Sequence, residues 1–219
     1  MKTPSPPALP VTLGTITAEG FSSLVSMEVK GGMEYVRFLA DADIDADGAN
    51  GQSGAPAAYI IGDKGTEHLA NGGLSLDGKI AKPWARDIFL LGPDNQPQVF
   101  PGGRLASTTW YHIPGRALSD PAAYLDSETV PYIVVPPLVI THTLGVVRGC
   151  LARITWRGKS IEAVVGDKGP RNRIGELSIA AARALGMPSS PRNGGVEAQE
   201  VLYELWPGQP ARGFVLQPE

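Results

Sequence analysis

Two carboxylates nine positions apart, Asp167 and Glu176, are the residues of this 219-residue chain best placed for acid–base chemistry. Asp167 follows the apolar run Ala163-Val164-Val165-Gly166, so it falls where a strand ends, on rigid backbone at the rim of a sheet. Glu176 opens a helical pattern, where the helix dipole favours the anion. Glycoside hydrolysis needs such a pair on separate rigid elements, one acid to protonate the leaving oxygen and one to activate water or to attack. The same two residues also fit plainer roles, a turn aspartate and a helix N-terminal acid.

A second acidic group is Asp43-x-Asp45-x-Asp47-Gly48. It begins like a calcium loop, but position 12 is Gly54 instead of a bidentate glutamate, and no helical pattern flanks it. That leaves three readings: a looser calcium site, an anionic rim that attracts a cationic substrate, or a solvated Asp/Gly turn. Trp84 and Trp110 lie in loop-like stretches where a flat ring can stack on a sugar, whereas Trp156 and Trp206 fall in strand patterns and read as core. His68, His112 and His142 have no metal-ligand spacing. Cys150 stands alone, which excludes a disulfide framework and a cysteine zinc site. No phosphate-binding loop, dinucleotide fingerprint or nucleophile elbow is present.

The elements that must hold these groups are mostly strands. Gly 27 and Pro 20 make up about a fifth of the chain, which argues against a helix bundle. Residues 27–30 and 33–39, joined by Gly31-Gly32, read as a hairpin. An acidic loop follows from Asp41 to Gly51, and residues 58–61 suit a short strand. Tyr132–Val135 reads as a buried strand, and residues 152–156 and 160–165 around Arg157-Gly158 as a second hairpin, broken by Gly166-Asp167-Lys168-Gly169-Pro170. The one convincing helix spans Gly175 to Leu185 and stops at Gly186, and a last strand covers Val201–Trp206. Tyr59–Gly65 echoes Ala163–Gly169 through a shared Gly-Asp-Lys-Gly, a hint of a pseudo-twofold barrel. Residues 1–19 read as a flexible Pro-rich tail and 20–219 as one domain.

A formal charge of −3 with no Lys/Arg-rich run excludes a general nucleic-acid binder. No segment approaches the ~20 apolar residues of a membrane span, and the N-terminus lacks a signal peptide's apolar core.

Several segments together resemble the chitosanases of glycoside hydrolase family 75, especially bacterial members. They are Asp43-Ile-Asp-Ala-Asp-Gly-Ala49, Ala58-Tyr59, His68-Leu-Ala-Asn-Gly-Gly73, Val130-Pro-Tyr-Ile-Val-Val-Pro136, Ala163-Val-Val-Gly-Asp-Lys-Gly-Pro170, Ile174-Gly-Glu-Leu-Ser-Ile179 and Ser190-Pro-Arg-Asn-Gly-Gly195. They occur in family order and span Tyr35 to Pro207. Asn50-Gly-Gln-Ser-Gly54, the small-residue run Ser178 to Ala184 and the missing leader depart from the family. The resemblance places Asp167 and Glu176 on the family's two essential carboxylates. It implies a mainly β, single-domain, six-stranded double-psi-like barrel with long loops and one or two short helices. It also implies endo-hydrolysis of β-1,4-linked glucosamine polymers, with inversion, without cofactor or metal, and outside the cell. Asp43, Asp45, Asp47, Tyr59 and Trp110 are then the expected contacts to a cationic polysaccharide, with Glu176 as acid and Asp167 as base. A non-catalytic glycan-binding or cell-envelope module, and a hydrolase of another amino-sugar polymer, are the alternatives.

Overall fold

The computed structural model describes residues 10–18 and 20–218. Eleven strands and two short α-helices run in the order β1 (Val11–Ala18), β2 (Phe21–Lys30), β3 (Met33–Asp45), β4 (Tyr59–Ile60), β5 (Val99–Phe100), β6 (Arg104–Leu105), β7 (Tyr132–Val135), α1 (Pro137–His142), β8 (Cys150–Trp156), β9 (Lys159–Lys168), β10 (Glu176–Ser178), α2 (Ile179–Leu185) and β11 (Val196–Pro210). The fold is mainly β and a single domain. Strands β3-β10-β7-β9-β8-β11 are hydrogen-bonded in that order, and β11 pairs back onto β3, closing a six-stranded barrel.

Local sequence explains the antiparallel parts. The β2–β3 hairpin turns at Gly31 and Gly32, both in the left-handed region at φ +61° and +82°. Arg157-Gly158 turns β8 into β9 in the same way. Two pairings are parallel, β3 with β10 and β7 with β9. They join segments far apart in sequence, so nothing local announces them.

The barrel is filled by large side chains. Phe38, Tyr203, Ile133 and Leu205 are fully buried, each worth roughly 1.5–3 kcal/mol of apolar transfer if an aliphatic or phenyl side chain is the guide. Phe38 stacks on Tyr203 with ring centroids 5.0 Å apart, and the Tyr203 hydroxyl donates to the Asp41 carbonyl at 2.9 Å.

Several expectations need correction. Residues 11–18, assigned above to the tail, form β1 and pair antiparallel with β2, while residues 1–9 lie outside those described. The acidic stretch is a loop only from Ala46 onward, because Asp41 to Asp45 continue β3, whose inter-strand bonds outweigh the poor strand propensity of aspartate. β9 runs through Gly166 and Asp167 to Lys168. The helix begins at Ile179, capped by the Ser178 side chain accepting from the Ala181 N–H; Glu176 and Leu177 belong to a strand. The Gly-Asp-Lys-Gly echo is not a barrel repeat, because β4 belongs to a separate three-stranded sheet, β4-β6-β5.

Candidate active site

The site is assembled by register. On β7, Val134 pairs with Asp167 of β9 on one side and Glu176 of β10 on the other, and Glu176 pairs in turn with Asp43 of β3. Registered residues project from the same face of a sheet, so Asp43, Glu176, Val134 and Asp167 form one row across four strands. The backbones of Asp167 and Glu176 are two strand spacings apart, roughly 9–10 Å. A register shift between Ile133 and Val134 skips Gly166 and brings Asp167 opposite Val134. Only glycine fits at 166, where a Cβ would lie 2.6 Å from the Tyr132 Cβ.

Strand alternation brings in the second acidic group. Ala42, Ile44 and Ala46 are buried in the core, while Asp43, Asp45 and Asp47 are half-buried on the opposite face. Gly48 then turns the chain at φ +76°, and a Cβ there would lie 1.8 Å from the Leu125 carbonyl oxygen. The turn is tied down by the Gly48 N–H donating to Ser107 Oγ at 2.9 Å and by Asn50 exchanging two hydrogen bonds with the Ser107 main chain.

These elements enclose a cavity of about 500 Å³ lined by Asp45, Asp47, Trp110, Val134, Asp167 and Glu176, among others. A larger hollow of about 1010 Å³ adjoins it, sharing Asp45, Asp47, Asp87, Lys168 and Gly169 and extending past Asp43 and Tyr59 to Glu67, Asn71 and Trp84. Seven carboxyl side chains line the two hollows, against the cations Lys168, Arg173 and Arg192.

Burial sets the protonation of this group. The Glu176 carboxyl is pushed up to about 8, chiefly by desolvation and then by the charges of Asp45 and Asp43. None of the described residues donates a hydrogen bond to it. Asp167 differs: its Oδ1 accepts from the Trp110 N–H at 2.9 Å and the Lys168 N–H at 2.7 Å. Desolvation and the nearby Asp45 charge still raise it well above the ordinary carboxylate range. Asp45 accepts from the Asp47 N–H at 2.9 Å and from the Tyr132 hydroxyl at 3.1 Å, and burial lifts it to about 6. Asp47, raised by burial and by Asp45, keeps a buried Oδ1 without a hydrogen-bond partner.

Asp45, Asp47 and Asp167 each offer an oxygen within 4.8 Å of the others, and an all-oxygen set of this kind suits a hard divalent cation. Three half-buried carboxyls this close also accommodate each other by keeping protons, and a bound ammonium would relieve them equally. Asp43 stays outside the cluster and pairs with Arg173 at 3.2 Å, so the Asp43–Gly48 run does not wrap one ion as a calcium loop would.

All the anticipated residues meet around the two hollows. Tyr59, however, is 5% exposed and packs edge-on against Phe89 at 4.9 Å between centroids, so its ring is largely core. Asp45 and Asp47 lie beside Asp167, deeper than an anionic rim. The dipole argument for Glu176 falls away, because the residue is in β10 and not at a helix N-terminus. Glu67, Asn71, Asp87 and Tyr132 escaped sequence reasoning. For Glu67 and Asn71 the one available signal was their position in and beside the His68–Gly73 segment. No model of a known protein family matches this chain, and no curated protein sequence matches it either.

Proposed function

We propose that the chain is an inverting endo-glycoside hydrolase of β-1,4-linked glucosamine polymers, as its resemblance to the family 75 chitosanases implies. The observation that carries this reading is the placement of Asp167 and Glu176 on either side of Val134 in one open cavity. Inverting enzymes hold their two carboxyls ~6.5–9.5 Å apart to leave room for the attacking water. Backbones roughly two strand spacings apart are compatible with that gap.

Their different surroundings divide the roles. Glu176, pushed up to about 8 and accepting no hydrogen bond from the described residues, keeps its proton at neutral pH and gives it to the departing glycosidic oxygen. Asp167 is also raised well above the ordinary carboxylate range, but the two main-chain N–H donors on its Oδ1 favour its anion, which makes it the carboxyl that a bound cation can ionise. It takes a proton from water as that water attacks the anomeric carbon from the opposite face, so the new reducing end has inverted configuration. A cationic polymer suits the concentration of carboxyls in the hollows, and binding its ammonium groups helps Asp167 ionise.

The test is hydrolysis of chitosan and glucosamine hexamer by wild type, Asp167→Asn and Glu176→Gln, with product anomers resolved by NMR. Wild type should release the inverted anomer, and each variant should lose at least ~10²-fold in kcat. Full activity in either variant ends the assignment. Saturable binding without new reducing ends would indicate a glycan-binding module, and cleavage confined to another amino-sugar polymer would keep the mechanism while changing the substrate.

A further inference from the structure

Beyond the catalytic row, the larger hollow has a wall that the proposed reaction does not use. Trp84 lies in the short 3₁₀ turn Pro83–Asp87 and is 48% exposed although it is a large aromatic side chain. Its ring edge rests against Gly73, where a Cβ would come within 2.9 Å of the Trp84 Cη2. Glu67 lies on the same wall and is only 5% exposed, an unusual location for a carboxyl. Its donors, the His68 N–H and Asn71 Nδ2, the latter at 3.0 Å, both act on Oε1. The carboxyl is therefore fixed in orientation, with Oε2 left out of these bonds. Burial raises its pKa, outweighing the His68 and Asn71 hydrogen bonds and the Arg192 charge, which lower it.

The neighbouring cation acts on this carboxyl through its charge, too weakly to offset burial. Arg192 directs its guanidinium to the Asp63 carboxylate at 3.1 Å and to the Asp63 and Gly65 carbonyls at 2.7 and 2.9 Å, reaching Glu67 only through the main-chain oxygen at 3.3 Å. The wall is therefore built from an aromatic platform, a rigidly held buried carboxyl and an amide, continuous with the catalytic cavity through Asp45, Asp47 and Asp87. A hollow of about 1010 Å³ is at the upper end of what a drug-sized ligand fills, large enough for more than one pyranose ring.

We infer that the Glu67–Asn71–Trp84 wall is an amino-sugar subsite, where Trp84 stacks on a pyranose ring and Glu67 accepts a hydrogen bond from that unit's ammonium group. It distinguishes glucosamine from N-acetylglucosamine at a unit away from the cleaved bond. The inference rests on the glucosamine-polymer reading of the site, but its test measures binding and does not need turnover.

Calorimetric titration of wild type, Trp84→Ala, Trp84→Phe and Glu67→Gln with glucosamine hexamer and with its fully acetylated counterpart decides it. Trp84→Ala should weaken glucosamine hexamer binding about tenfold through the loss of one aromatic stack, and Trp84→Phe should restore most of the loss. Glu67→Gln should remove the preference for the free amine, bringing the two hexamers within about threefold of each other. Trp84 is exposed, so its variants remain informative if Glu67→Gln fails to fold. Wild-type-like affinity in Trp84→Ala, or an undiminished amine preference in folded Glu67→Gln, overturns the subsite, as does the absence of any hexamer binding by wild type. Binding that follows this pattern without hydrolysis supports the subsite and overturns only the hydrolase reading.

Discussion

Glu176 illustrates how environment changes what a residue can do. A glutamate at a helix N-terminus is a stabilised anion, whereas the same glutamate in a buried strand beside Asp45 and Asp43 holds its proton to about pH 8. The consequence extends to stability. Below its ordinary value of 4.5 the carboxyl is protonated whether the chain is folded or unfolded. Between that value and about 8 the unfolded chain gives up the proton and the folded one keeps it, so stability falls as pH rises through this window. Asp45, lifted to about 6, acts in the same direction over a narrower range. Glu28 acts oppositely: the Tyr35 hydroxyl lowers its pKa, so its contribution is lost in acid. Asp47 and Asp167, also raised well above the ordinary range, add to the fall with rising pH, so melting temperature should fall from pH 5 to pH 8 and Glu176→Gln should flatten part of that slope. A variant with the wild-type slope would show that this carboxyl does not hold its proton in the fold.

At the scale of elements, strand residues with local partners could be read directly from the chain. The Gly31-Gly32 hairpin, the Tyr132–Val135 strand and the Arg157-Gly158 hairpin are where their turn residues and apolar runs put them. Asp167 and Glu176, singled out in the sequence, do line one cavity. What could not be read is non-local. β10 is three residues long and runs straight into α2, so the helical spacing of Ile179, Ala182 and Leu185 absorbs it. Its strand character comes from β3 and β7, contacts no local pattern encodes. Glu67 was invisible because only tertiary packing buries it. The close approach of β9's end to β10 makes a prediction. A Cβ on Gly169 would sit 2.9 Å from Glu176 Oε2, an atom at the end of a flexible side chain, and 3.1 Å from Val134 Cγ1. Gly169→Ala should fold with a melting temperature within a few degrees of wild type, while moving the carboxyl enough to lower kcat roughly 10- to 100-fold. An unchanged kcat would mean that the position of the Glu176 carboxyl is not critical.

Across the whole molecule, the formal charge of −3 conceals an uneven distribution. Seven carboxyls and three cations line the hollows, so the rest of the surface is close to balanced. A cleft walled by low-dielectric protein focuses such a field and raises the local concentration of cations. Screening should weaken it: the Debye length shrinks from about 10 Å at 0.1 M salt to about 3 Å at 1 M. KM for chitosan should rise several-fold over that range with little change in kcat, and a KM indifferent to salt would remove the electrostatic account of substrate preference.

The short strand β10 also bears on the order in which the protein matures. Its partners, Asp43 to Asp45 on one side and Ile133 to Val134 on the other, are brought to it from distant parts of the chain. Pairings of such long sequence separation are slow, because loop closure must precede the contacts that reward it. The hairpins β2–β3 and β8–β9 can form as soon as their turns are made, yet none of them holds Glu176. A nascent or partly folded chain can therefore contain most of the sheet while Glu176, the proposed general acid, is not yet in place. The proposed hydrolytic activity should be the last native property to emerge on refolding, reporting barrel closure more faithfully than strand content does.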